Sequence, residues 1–173
     1  MAKIDTNKTI GLFLRYLLIV LLGLGNLVIF YTLFTPITTR TIAIILGLFA
    51  KTTTIDNLIF FKTITIELIP ACIAGSAYYL LTILSLSVPN LKVSKRFLII
   101  AFSFASLFIL NVLRILFLAS INKSIYFEAA HLIFWYGVST IFVVGIWITI
   151  VKAFKIREVP IYSDFKYLFS LLE

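Results

Sequence analysis

The chain holds a single cysteine, Cys72, a single histidine, His131, and only seven acidic side chains against fifteen basic ones. One cysteine excludes an intrachain disulfide, so Cys72 is either a small packing residue or a free thiol with chemistry of its own. One cysteine and one histidine are too few for structural zinc, which takes four ligands, and no metal or other cofactor is expected. The sequence has no internal repeat, Gly-rich phosphate loop or low-complexity tract, so repeat scaffolds and phosphate-cradling enzymes gain no support. Charge is the largest deficit. Only 13% of the 173 residues are charged while 62% are hydrophobic, with mean hydropathy +1.14, against roughly 45–50% apolar residues in soluble domains. A water-soluble fold is excluded on that ground. The net charge of +8 could suggest nucleic acid. The basic residues instead form short clusters beside apolar runs, as membrane flanks do, and no nucleic-acid partner is expected.

What the chain does have is apolar runs of spanning length, which predict a single all-α multi-pass membrane domain over 1–173. Four spans are expected, at about 11–34, 70–88, 97–119 and 129–151, each near the roughly 20 residues that cross a hydrocarbon core. The first is too long for a signal-peptide core and lacks a small-x-small cleavage site, so it should stay as an anchor. Thr35-Pro36 should end it. Residues 37–50, apolar but short and carrying Arg40, are expected to lie as an interfacial helix. From Thr52 to Ile69 β-branched density rises, and Lys62-Thr63-Ile64-Thr65-Ile66-Glu67-Leu68 alternates polar and apolar, which with the strand-like stretch Ile55 to Phe61 before it predicts a small β-hairpin on the membrane surface. Segment 35–69 is then extracytoplasmic, and the tail 152–173 cytoplasmic and resting on the membrane.

Orientation follows from the basic flanks. Lys3, Lys8 and Arg15, then Lys92, Lys95 and Arg96, then Lys152, Lys155 and Arg157 all fall on one side of a four-span arrangement, and the positive-inside rule makes that side cytoplasmic. Were 37–50 a fifth span, the N-terminus would lie opposite the other two clusters, a poorer fit.

In this topology Cys72, Arg114 and His131 reach the same, non-cytoplasmic side from three different helices. Arg114 stands in the apolar stretch 108–118, where an arginine costs roughly 2.5 kcal/mol or more. It must therefore face a polar cavity or the bundle interior, or snorkel to the interface. Asn111, three residues earlier, shares its helical face and could orient the guanidinium or bind a carbonyl. Cys72 opens its helix, where the dipole and free N–H groups favour a thiolate; buried packing is the plainer reading. His131 could be an interfacial histidine, or a base whose tautomer Glu128, three residues earlier, holds. Together a thiol, an imidazole and a guanidinium supply nucleophile, acid/base and oxyanion stabiliser for acyl transfer on a peptide carbonyl. Thr65, Glu67 and Tyr126 are further candidates for substrate contact.

Pro70-Ala71-Cys72-Ile73-Ala74-Gly75 opening one span, Asn111-Val112-Leu113-Arg114-Ile115 in the next and His131 opening the last resemble the exosortase/archaeosortase family. The resemblance covers roughly residues 67–150, and the short chain, with one span before the interfacial segment, looks closest to the compact archaeosortases. It implies a membrane cysteine transpeptidase with Cys72 as nucleophile, Arg114 as transition-state stabiliser and His131 as acid/base. It also implies as substrates exported proteins whose C-terminal signal comprises a short motif, a hydrophobic helix and a basic end, with an amine acceptor such as a lipid head group. Two other readings fit the same residues. One is a non-enzymatic transport or assembly subunit in which Arg114 pairs with Glu128; the other is a protease whose thioester goes to water.

Overall fold

A computed structural model describes residues 6–172, so Lys3 lies outside the described residues. The first apolar run is divided. Helix α1 (Thr6–Gly23) ends at a turn in which Gly25, Asn26 and Leu27 take left-handed backbone, with φ of 68°, 54° and 61°, and α2 (Val28–Gly47) starts after it. Two expectations are corrected here: 11–34 is not one unbroken helix, and 37–50 is not a separate interfacial one. Pro36 lies inside α2. Proline removes one helical N–H, a defect that apolar membrane helices accommodate without stopping.

Contacts along α1 and α2 meet the second apolar run in descending order. Arg15 donates to the carbonyls of Leu86 and Val88, each at 3.1 Å. The Tyr79 hydroxyl donates to the Ile19 carbonyl at 3.0 Å, and the Tyr31 ring lies against Gly75. The two helices therefore form one path antiparallel to that run. It too is interrupted: α3 (Pro70–Ile73) and α4 (Gly75–Leu86) are separated by Ala74, whose φ is 61°. Span 70–88, expected as one helix, is broken beside Cys72.

Between these lies an antiparallel meander of β1 (Thr52–Ile55), β2 (Leu58–Phe61) and β3 (Ile64–Glu67). The expected hairpin is thus three-stranded. Asp56-Asn57, inside the stretch Ile55 to Phe61 expected as one strand, is a turn, the common use of those residue types. The inward face of the sheet buries Ile59.

Helix α5 (Val93–Ser120) contains the expected third span with an added turn at its start. The fourth runs as α6 (Phe127–Ile133), a π-helical turn over Phe134–Val138, and α7 (Ser139–Ala153). Three helical segments are long and apolar enough to cross a membrane: Val28–Gly47, Val93–Ser120 and Phe127–Ala153; the apolar helices Thr9–Gly23 and Gly75–Leu86 are shorter. Leu18, Leu21, Ile109, Leu113, Ile141, Val144 and Ile148 are exposed on the helices, an apolar surface that a soluble monomer does not present and that lipid covers. This is a membrane protein. Inside, the Tyr78 ring stacks on Phe34 at 3.8 Å and Phe104 meets both edge-on.

One end of the bundle is basic. Arg96 donates to the Leu86 and Val88 carbonyls, Lys95 Nζ to that of Phe154, and Arg15 pairs with the buried Asp164 of α8 (Tyr162–Leu172) at 2.9 Å. The tail is therefore tied to the bundle. From Arg96 to Arg114 is eighteen residues of α5, about 27 Å at 1.5 Å per residue, which separates the basic end from Arg114 by close to one hydrocarbon thickness.

Candidate active site

The break at Ala74 sets the site. In an unbroken helix the carbonyls of Ala71 and Cys72 would accept the N–H groups of Gly75 and Ser76. The left-handed residue ends α3 and leaves these carbonyls to side chains of α5. Asn111 Nδ2 donates to the Cys72 carbonyl at 2.7 Å, and one terminal nitrogen of Arg114 reaches the carbonyls of Ala71 at 3.2 Å and Cys72 at 3.4 Å. Asn111 and Arg114 are both buried. Asn111 and Arg114 thus share one helical face, as their spacing predicts, and of the two roles open to the Asn111 amide it takes carbonyl binding.

The other terminal nitrogen of Arg114 donates to Ser139 Oγ at 2.9 Å, and Ser139 in turn donates to the Phe134 carbonyl at 2.7 Å, five residues back across the π turn. Arg114 thus bridges α3 to α7, and its Nε is buried with no protein acceptor. Buried guanidinium N–H groups in a lipid-embedded bundle are costly unless satisfied; the cation is anchored on two sides, with its Nε–H left over. Glu128 takes no part: it is exposed, and among the described residues no ion pair joins it to Arg114 or His131. The expected Glu128–His131 support is absent, because a solvated carboxylate at the helix start gains nothing by turning inward. His131 is held by rings instead, stacked on Phe127 at 5.9 Å and edge-on to Trp135 at 5.8 Å, which leaves both imidazole nitrogens without a protein partner among the described residues.

Two cavities meet at these residues. The inner one, about 320 Å³, is lined by Tyr31, Ser76, Trp135 and Ser139 together with Cys72, Arg114 and His131. The outer one, about 350 Å³, is lined by Thr65, Glu67, Asn122 and Phe127 and again by Cys72, Arg114 and His131. Cys72 is half-buried and lines both cavities together with Arg114. Glu67 and Thr65 line the outer cavity, while Tyr126 is exposed and lines neither. Ser139 and the aromatic clamp of Phe127 and Trp135 escape the sequence reading; a serine within an otherwise apolar run was the available signal for the first.

No protein-family model matches the chain, and neither any curated protein nor any solved structure does.

Proposed function

We propose that this protein is a membrane-embedded cysteine transpeptidase that removes the C-terminal sorting signal of exported proteins and passes them to an amine acceptor, a lipid head group by preference. The observation that carries the reading is that the only thiol, the only imidazole and a buried guanidinium, brought from three helices, line both of two adjoining cavities. The resemblance of the Cys72, Arg114 and His131 segments to exosortases and archaeosortases points the same way. In this reading the path through α1 and α2, the α3–α4 pair, α5, and α6 with α7 make four crossings. The basic end is cytoplasmic by the positive-inside rule and the site faces outward.

The Cys72 thiolate attacks the scissile carbonyl; the oxyanion takes hydrogen bonds from Arg114, the C–N bond breaks, and the departing amine of the membrane tail receives a proton from His131. The acceptor amine then attacks the thioester, gives its proton to His131, and expels the Cys72 sulfur. In a poorly hydrated site the guanidinium contacts are worth several kcal/mol.

The test is the processing of tail-bearing exported proteins in cells that make this protein, with product masses. Wild type should yield a tail-less product carrying an amine-linked adduct, and Cys72→Ala should leave the tail in place. A free carboxylate would assign hydrolysis instead, and undiminished processing in Cys72→Ala would overturn the enzyme.

A further inference from the structure

The register of the meander decides which main-chain groups of β3 are spoken for. Strands β2 and β3 pair Phe61 with Ile64, Ile59 with Ile66 and Leu58 with Glu67, closed by the two-residue turn Lys62-Thr63. Such a turn is flanked by a hydrogen-bonded pair, and the bonded pairs then recur at every second residue. The bonded positions are therefore Ile64, Ile66 and Leu68, and the Leu68 N–H does reach the Asn57 carbonyl at 3.0 Å. By the same alternation the N–H and C=O of Thr65 and Glu67 point away from β2. Strand β3 ends the sheet order, and among the described residues β2 is the one element packed extensively against it. The opposite edge, on β1, is packed against α2 instead.

These two outward-facing residues also line the outer cavity, whose inner end is Cys72, Arg114 and His131. The backbone stays extended past the strand, with Ile69 at φ −76° and ψ 162°, and Pro70 then opens the helix that bears Cys72. An open strand edge is thus aimed along the cavity at the sulfur, five residues away. The second cavity lies farther along α4 and α7 toward the basic end, lined by Ala77 and Ser139. A peptide entering beside β3 therefore meets Cys72 before the bundle interior.

We infer that the open edge of β3 is the docking strand for the extended segment of an exported substrate that precedes the scissile bond, its backbone pairing with Thr65 and Glu67. The inference rests on the transpeptidase reading. An extended peptide is the occupant that matches alternating unpaired N–H and C=O groups, and strand addition supplies affinity through main-chain bonds. It also explains how a protein of this size can grip a short motif with few charged side chains. The backbone selects for extension, and side-chain choice is left to the cavity walls.

Proline tests this directly, because it deletes an outward N–H at an edge position without touching the ladder to β2. Thr65→Pro removes a donor to the substrate, and Thr54→Pro makes the same change on the β1 edge, where the pairing of Thr53 with Phe60 and Ile55 with Leu58 turns the Thr54 N–H outward. The expected result is tail removal slowed about tenfold or more by Thr65→Pro and unchanged by Thr54→Pro, with N-ethylmaleimide labelling Cys72 at the wild-type rate in both. Wild-type cleavage by Thr65→Pro overturns the docking strand and leaves the transpeptidase standing. Undiminished cleavage by Cys72→Ala overturns the transpeptidase itself. Should Thr65→Pro lose its labelling, a benzophenone amino acid at position 65 of the Cys72→Ala chain decides. Cross-links to the residues just before the hydrophobic tail uphold the docking strand, and cross-links elsewhere or none overturn it.

Discussion

Asn111 holds the main chain of Cys72: its amide nitrogen lies 2.7 Å from the Cys72 carbonyl, and Arg114, one turn farther along the same face of α5, reaches that carbonyl at 3.4 Å. The candidate nucleophile is thus fixed through its backbone by two side chains of a neighbouring helix, while its sulfur is left to the cavities. Asn111→Ala leaves the carbonyl with the longer bond alone. A buried acceptor deprived of its partner costs about 1–3 kcal/mol, to be read as a lower Tm in detergent. Asn111→Leu should lose as much, because it restores bulk without the donor.

Arg114 and Ser139 act as one unit. Lysine cannot span the α3 carbonyls and Ser139 together, since a single ammonium has no fork, so Arg114→Lys should reduce tail removal about a hundredfold or more. Ser139→Ala should act more mildly, about fivefold, by freeing one arm of the guanidinium. The split is informative: Ser139→Ala should lower kcat with KM little changed, as a positioning residue does.

Gly75 marks a close approach. A Cβ there would stand 2.7 Å from two atoms of the Tyr31 ring, and Tyr31 lines the inner cavity. Gly75→Ala should cost about 1–3 kcal/mol by overpacking. Combined with Tyr31→Ala, which removes the ring, the double variant should be more stable than the sum of the two losses.

How much of this the sequence disclosed depends on what kind of residue carried the signal. Asn111 and Arg114 stood out because polar groups in an apolar run must have a reason, and their spacing put them on one face of α5. The break at Ala74 was silent, because alanine favours helix and nothing in its type announces a φ of 61°; tertiary bonds from α5 hold it. Pro36 misled in the other direction. Read as a stop, it lies inside α2, where packing against α4 and α5 outweighs one lost N–H. Glu128 was placed by spacing on the face of His131, but spacing says nothing of whether a solvated carboxylate turns inward, and this one does not. Ser139 could not be paired with Arg114 from sequence, because the π turn at Phe134–Val138 shifts every later side chain off the 3.6-residue count.

Because Cys72 is the only cysteine, thiol labelling reports one position without background. In sealed cells a small membrane-impermeant methanethiosulfonate should modify it from outside, and Cys72→Ala should abolish the signal. Labelling only after the cells are opened would place the cavity on the cytoplasmic side and reverse the topology.

The most direct measurement is the covalent state of Cys72 during turnover. Acid-quenched protein, digested and mapped by mass spectrometry, should carry on the Cys72 peptide an acyl adduct derived from the substrate side of the scissile bond. Neutral hydroxylamine should release it, and in Arg114→Lys it should form about a hundredfold more slowly. Tail removal proceeding at full rate with Cys72 unmodified, or an adduct mapped to another residue, would contradict the account.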